Sequence, residues 1–231
     1  MKIIAANFKM NGDRQFIDNW FQNFNADTEN LVLVGLPAIY LESSVQKLNK
    51  SNIKIAAQNV SKFNSPGAYT GQISTAMLND MGVEFCIIGH SEAREHLYED
   101  SESVYEKYSC LTSSNIKPIV CIGESLEVRE SKNHLNFISD QIKNFTTTKD
   151  EIIFAYEPIW AIGTGLVPTQ EQIEEMSSHI KSHFSQQVTV LYGGSVNSKN
   201  SSEILNMNNI DGVLVGGASL NAEEFANIAQ S

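Results

Sequence analysis

Cysteine is scarce: Cys86, Cys110 and Cys121 are an odd number among 231 residues and form no CxxC pair. That argues against a disulfide framework or a thiolate zinc site and suits thiols kept reduced in the cytoplasm. Cys86 and Cys121 lie inside apolar runs and read as buried, inert thiols. No stretch approaches the ~20 apolar residues of a membrane span. The opening Met1-Lys2-Ile3-Ile4-Ala5-Ala6-Asn7-Phe8-Lys9 has too short an apolar run for a signal peptide. The expectations are therefore a cytoplasmic chain and no membrane partner. Positive charge is also short, with 16 Lys+Arg against 27 Asp+Glu for a net charge of −11. Without a basic cluster to offset it, this argues against a nucleic-acid partner. An anionic ligand would need local positive potential from a lysine and from backbone N–H groups. Proline occurs five times, and no Pro/Gly/Ser-rich linker or low-complexity block divides the chain.

What the chain does have is alternation. Short apolar runs recur over residues 3–8, 31–36, 53–58, 85–89, 118–122, 152–156, 188–192 and 212–215. Each is followed by a longer, more polar stretch with helical spacing, which is how βα units read. The candidate helices cover 14–24, 41–48, 74–81, 101–113, 126–145, 169–184, 198–205 and 222–229. Pro168-Thr169 with Gln172 three residues on is a helix-start signal close to a capping box. Eight βα units in this length predict an α/β architecture, a single-domain (β/α)8 barrel over residues 1–231. An open doubly wound sheet is the alternative the same pattern allows.

In such barrels the reacting groups stand at the C-terminal ends of the strands. The first run ends in Asn7-Phe8-Lys9, the fourth in Gly89-His90-Ser91-Glu92 and the sixth in Tyr156-Glu157-Pro158. The last two end in Tyr192-Gly193-Gly194-Ser195 and Val215-Gly216-Gly217-Ala218-Ser219. Glu157 at a barrel mouth is placed to become a general base through partial burial, although alone it reads equally as a solvated loop acid. The following Pro158-Ile159-Trp160-Ala161-Ile162-Gly163-Thr164-Gly165 is an apolar loop between a stiff proline and glycines, and reads as a lid. Each Gly-Gly pair lets backbone N–H groups approach a ligand; two such turns in succession predict a phosphate cradle, and either alone is explained by a tight turn. Taken singly, Lys9 could be a surface charge and His90 a satisfied polar group. His179 and His183 have the i, i+4 spacing of a metal pair, but no third ligand is apparent and no metal is expected.

Together these strand ends resemble the triosephosphate isomerase family, over essentially the whole chain. The most specific stretch is Ala155-Tyr156-Glu157-Pro158-Ile159-Trp160-Ala161-Ile162-Gly163-Thr164-Gly165. It is joined by Asn7-Phe8-Lys9-Met10-Asn11, Gly89-His90-Ser91-Glu92, Cys121-Ile122-Gly123-Glu124 and the two Gly-Gly turns. The resemblance implies a TIM barrel that interconverts dihydroxyacetone phosphate and D-glyceraldehyde 3-phosphate through an enediolate, without a cofactor. It assigns proton abstraction to Glu157, proton relay between the two oxygens to His90, oxyanion and phosphate charge to Lys9, and orientation of substrate and Lys9 to Asn7. In the resembled family itself the histidine is kept neutral by a helix N-terminus, a property of the family and not a reading of this chain. Backbone N–H groups of Gly163, Ser195, Gly216 and Gly217 would hold the phosphate, with Glu92 supporting Lys9. The stretch 58–71 resembles the family's long third loop, which implies a homodimer in which Thr70 completes the site of the other copy. Ala93, Gln72 and Leu166-Val167-Pro168 depart from the family pattern without touching a catalytic position. Other phosphate-binding barrels, such as sugar-phosphate epimerases, share the last two turns but organise different catalytic groups.

Overall fold

The computed structural model describes residues 1–48, 52–148, 150–162 and 166–231. Gly163 and Gly165, the expected phosphate donor and the end of the expected lid, lie outside the described residues. The strands are β1 (Ile3–Asn7), β2 (Leu31–Leu36), β3 (Ile53–Ala57), β4 (Phe85–Ile88), β5 (Lys117–Ile122), β6 (Ile152–Tyr156), β7 (Val188–Tyr192) and β8 (Gly212–Val215). All pair in parallel in chain order, and β8 returns to β1 with Gly212 opposite Ile3, so the sheet closes into the expected barrel and not an open one. The helices are α1 (Arg14–Asn23), α2 (Leu41–Lys47), α3 (Thr75–Asp80), α4 (Ser91–His96), α5 (Ser101–Thr112), α6 (Leu126–Glu130), α7 (His134–Ile142), α8 (Gln170–Ser182), α9 (Ser201–Leu205) and α10 (Ala222–Ala229). Short polar side chains start many of them: Asp13, Ser74, Asp100, Ser125 and Asn221 each accept a backbone N–H of the first turn. At α8 the Thr169–Gln172 capping box is complete, with Thr169 N–H donating to Gln172 Oε1 at 2.9 Å and Gln172 N–H to Thr169 Oγ1 at 3.3 Å.

Strand pleat sorts the side chains into two cores. Ala5, Leu33, Ala56, Ile87, Ile119, Cys121, Ile153, Ala155, Leu191 and Leu214 fill the barrel interior. Their neighbours Ile4, Ala6, Val34, Cys86, Phe154 and Val190 face the helices. Cys86 and Cys121 are thus buried on opposite sides of the barrel wall, and burial pushes both thiols above their ordinary range.

Two expectations need correction. The helix expected over 126–145 is α6 and α7, because the chain turns at Lys132, which adopts a left-handed φ of 59°. Lys132 N–H donates to Arg129 O at 3.1 Å and Asn133 N–H to Val128 O at 3.2 Å, a paired closure that ends α6. The short helix α4 was not expected at all. It follows from Gly89, whose φ of 67° turns the chain off β4 one residue before the expected strand end.

Candidate active site

Interior parity continues one step beyond the strands. Positions 3, 5 and 7 of β1 share the inner face with 153 and 155 of β6 and with 157 just after it, so Asn7 and Glu157 stand above Ala5 and Ala155 at the barrel mouth. Glu157 is only 3% exposed. Neighbouring strand ends make room for it by lacking side chains: a Cβ on Gly123 would overlap the Glu157 carbonyl oxygen, and one on Gly193 would lie 2.8 Å from Glu157 Cγ. Its N–H donates to Ile122 O at 2.7 Å, which fixes the backbone. Both carboxylate oxygens are engaged: Oε1 lies 3.0 Å from His90 Nε2, and Oε2 accepts from Ser91 N–H at 3.2 Å.

His90 caps α4, where its Nδ1 accepts the Glu92 N–H at 3.2 Å. An Nδ1 that accepts carries no proton, so a neutral ring holds its proton on Nε2 and donates it to Glu157. Burial disfavours the imidazolium, but the Glu157 carboxylate, by charge and hydrogen bond, outweighs it with help from Glu92, and the ring's pKa is raised. Lys9 follows in a left-handed conformation with φ 53°. Its N–H donates to Asn7 Oδ1 at 3.0 Å, and its ammonium meets Glu92 Oε1 at 2.6 Å. Both partners of that pair are partly exposed, so it contributes little to stability.

Asn7, Lys9, His90 and Glu157 line one cavity of about 230 Å³ together with Ser195, Gly216 and Gly217. The sequence-expected residues, taken from five strand ends, thus converge. Ser195 Oγ–H donates to Ala161 O at 2.7 Å, joining the β7 turn to the segment expected to act as a lid. Glu92 lies beside this cavity, in a groove of about 290 Å³ shared with Asn7, Lys9 and His90. Thr70 does not line the site of its own chain; it is exposed in the 58–71 stretch.

Sequence reasoning gave no role to three residues around this site. Glu124, fully buried, accepts from Tyr156 Oη–H at 3.0 Å and from Trp160 Nε1–H at 3.2 Å. The Tyr192 hydroxyl, in the strand before the Gly-Gly turn, is buried without a partner among the described residues. Trp20, on α1, donates its Nε1–H to the Ser219 carbonyl at 2.8 Å. Only its rarity could have flagged it, since it is one of two tryptophans. His179 and His183 are occupied across the α7–α8 contact, where their Nε2 atoms lie 2.9 and 3.0 Å from Ser139 Oγ. Among the described residues no cluster of three His, Cys, Asp or Glu side chains could hold a metal ion.

A family model described as triosephosphate isomerase matches residues 2–231. The chain is 42% identical to the triosephosphate isomerase of Alkaliphilus oremlandii, over 98% of this chain and 97% of that protein. It is also 42% identical to that of Neurospora crassa, over 95% and 94%. With that of Acetivibrio thermocellus the identity is 40%, over 99% and 98%.

Proposed function

The chain belongs to the triosephosphate isomerase family and interconverts dihydroxyacetone phosphate and D-glyceraldehyde 3-phosphate; from that premise we propose that Glu157, His90, Lys9 and Asn7 carry the reaction. The observation that supports this most is the 3.0 Å contact between Glu157 Oε1 and His90 Nε2 in the cavity that Lys9 and the two Gly-Gly turns also line. A three-carbon substrate has to enter between ring and carboxylate and replace that contact. Parting them breaks the hydrogen bond and weakens the larger of the two charges that raise the ring's pKa. Burial and the Glu92 N–H then both favour a neutral imidazole with its proton on Nε2.

The Glu157 carboxylate takes a proton from C1 of dihydroxyacetone phosphate, and the C–H electron pair moves into an enediolate whose charge rests on the C2 oxygen. His90 donates its Nε2 proton to that oxygen and recovers one from the C1 hydroxyl. Glu157 returns its proton to C2, giving the aldehyde. Protons and electrons balance with no net redox change, so the reaction needs no cofactor. Lys9 opposes the charge on oxyanion and phosphate, an effect that grows as water is excluded. Asn7 aims Lys9 through the Lys9 N–H. Ser195, Gly216, Gly217 and Gly163, the last outside the described residues, supply the phosphate N–H groups, and the segment opening with Pro158 acts as lid.

Residues 1–231 act as one catalytic domain, cytoplasmic and homodimeric. Support for the dimer comes from Met10 and Leu97, exposed at 96% and 63%, and from the groove they line beside Lys9 and Glu92. Surface of this kind asks for a partner, and a second copy's 58–71 stretch is the occupant, with Thr70 reaching the neighbouring site. The functional test follows NADH consumption from glyceraldehyde 3-phosphate with glycerol-3-phosphate dehydrogenase added. Turnover without added metal is expected; no turnover would overturn the reading.

A further inference from the structure

Two sources of positive potential in the cavity come from opposite ends of the chain. Lys9 follows β1, and Gly216 and Gly217 follow β8. A phosphate is held well only if both aim at one point, since misplacement on the scale of an ångström is felt strongly. Lys9 and the turn are close: a Cβ on Gly216 would sit 3.5 Å from Lys9 Cε. Behind them both lies Trp20, nearly buried, on the inner face of α1.

Trp20 touches each part. Its Nε1–H donates to the Ser219 carbonyl at 2.8 Å. Ser219 in turn donates to Gly216 O twice, from its N–H at 2.9 Å and from Oγ–H at 2.7 Å, so fixing Ser219 fixes the 216–219 turn. The indole also packs edge-on against Phe8, the residue between Asn7 and Lys9, with ring centroids 5.3 Å apart. Its other neighbours, Phe24 stacked at 4.9 Å and Phe225 at 5.9 Å, leave it little freedom. Phenylalanine would keep an aromatic ring in this core at a smaller volume; among apolar side chains only tryptophan adds an N–H donor at that point.

We propose that Trp20 is a positioning residue for the substrate's phosphate, holding the 216–219 turn and the Lys9 end of β1 in fixed relation so that both converge on one anion. This rests on reading Gly216 and Gly217 as phosphate donors. Trp20→Phe keeps an aromatic ring and removes the donor. The inhibition constant of inorganic phosphate is expected to rise roughly three- to tenfold, the factor set by one net hydrogen bond. KM for glyceraldehyde 3-phosphate should rise alongside it, with the loss appearing in KM more than in kcat. A lower melting temperature with unchanged phosphate inhibition and unchanged KM would overturn the proposal, because a purely structural residue behaves that way.

A control variant separates this from the reading beneath it. A Cβ at Gly217 meets nothing within 4 Å, so Gly217→Val folds and obstructs the turn's approach to the anion. Phosphate inhibition weakened in Gly217→Val but intact in Trp20→Phe sinks the role of Trp20 alone; inhibition intact in both sinks the phosphate turn. Should Trp20→Phe fail to fold, Trp160→Phe leaves Trp20 as the sole tryptophan. Saturating inorganic phosphate is then expected to shift its emission, and an unmoved spectrum would overturn the proposal.

Discussion

Two buried carboxylates stand one strand apart at the mouth of the barrel and have opposite surroundings. Glu157 follows β6 on the interior parity and lines the cavity beside Lys9 and His90. Glu124 follows β5 on the other parity, two places beyond Ile122, which packs toward the helices. It is 0% exposed and sealed beneath Tyr156 and Trp160, with Arg129 Nη1 3.9 Å away. Burial raises the Glu124 pKa even against those two donors. Both acids are buried, so burial alone does not make a base. What separates them is access: Glu157 faces a cavity wide enough for a small ligand, whereas Glu124 faces side chains already in place.

The largest effect that tests this contrast is expected from Glu157→Gln. It keeps the shape and removes the proposed base, and is expected to lower kcat by about 10²- to 10⁴-fold in the coupled assay while inorganic phosphate still binds. Next comes Lys9→Met, which leaves the acidic chain without its cation at the oxyanion. A loss of about 10²- to 10³-fold in kcat is expected, with weaker phosphate inhibition besides. A loss confined to phosphate affinity would reduce Lys9 to a phosphate ligand.

Glu124→Gln should have the smallest effect on rate, because the amide oxygen can still accept from Tyr156 and Trp160. Its signature lies in pH. A carboxyl whose folded pKa is raised binds its proton more tightly in the folded chain than in the unfolded one. The folded state is therefore favoured below that pKa and loses this advantage as pH rises through it. Measured by thermal melts, the wild type should gain stability relative to Glu124→Gln as pH falls from neutral toward the ordinary glutamate range. For a chain of this size, each kcal/mol gained would appear as roughly 2–4 °C. A difference independent of pH would mean that Glu124 does not titrate as a buried acid.

Much of this arrangement is legible in the sequence, because strand parity is a local property. The alternation that places Ala155 inside the barrel places Glu157 there too, and the runs at 188–192 and 212–215 carry the two Gly-Gly turns to the same rim. The break at Lys132 is not legible, since a lysine in the left-handed region carries no turn signal of its own. Nor is the bond from Trp20 to Ser219, whose partners are 199 residues apart and meet only once the barrel closes. Glu124 sits within a recognisable stretch, yet its sealing by Tyr156 and Trp160 depends on how β5 and β6 align, with Ile122 opposite Tyr156. Thr70 is exposed and lines neither the cavity nor the groove beside it.

The most direct test of the contrast between the two acids is deuterium incorporation into dihydroxyacetone phosphate in heavy water, followed by proton NMR for wild type, Glu157→Gln and Glu124→Gln. Exchange at the carbon bearing the hydroxyl is expected to persist in Glu124→Gln and to fall by about 10²- to 10⁴-fold in Glu157→Gln, with phosphate binding retained in both. Exchange at an undiminished rate in Glu157→Gln, or its loss in a folded Glu124→Gln, would contradict the assignment of Glu157 as the base.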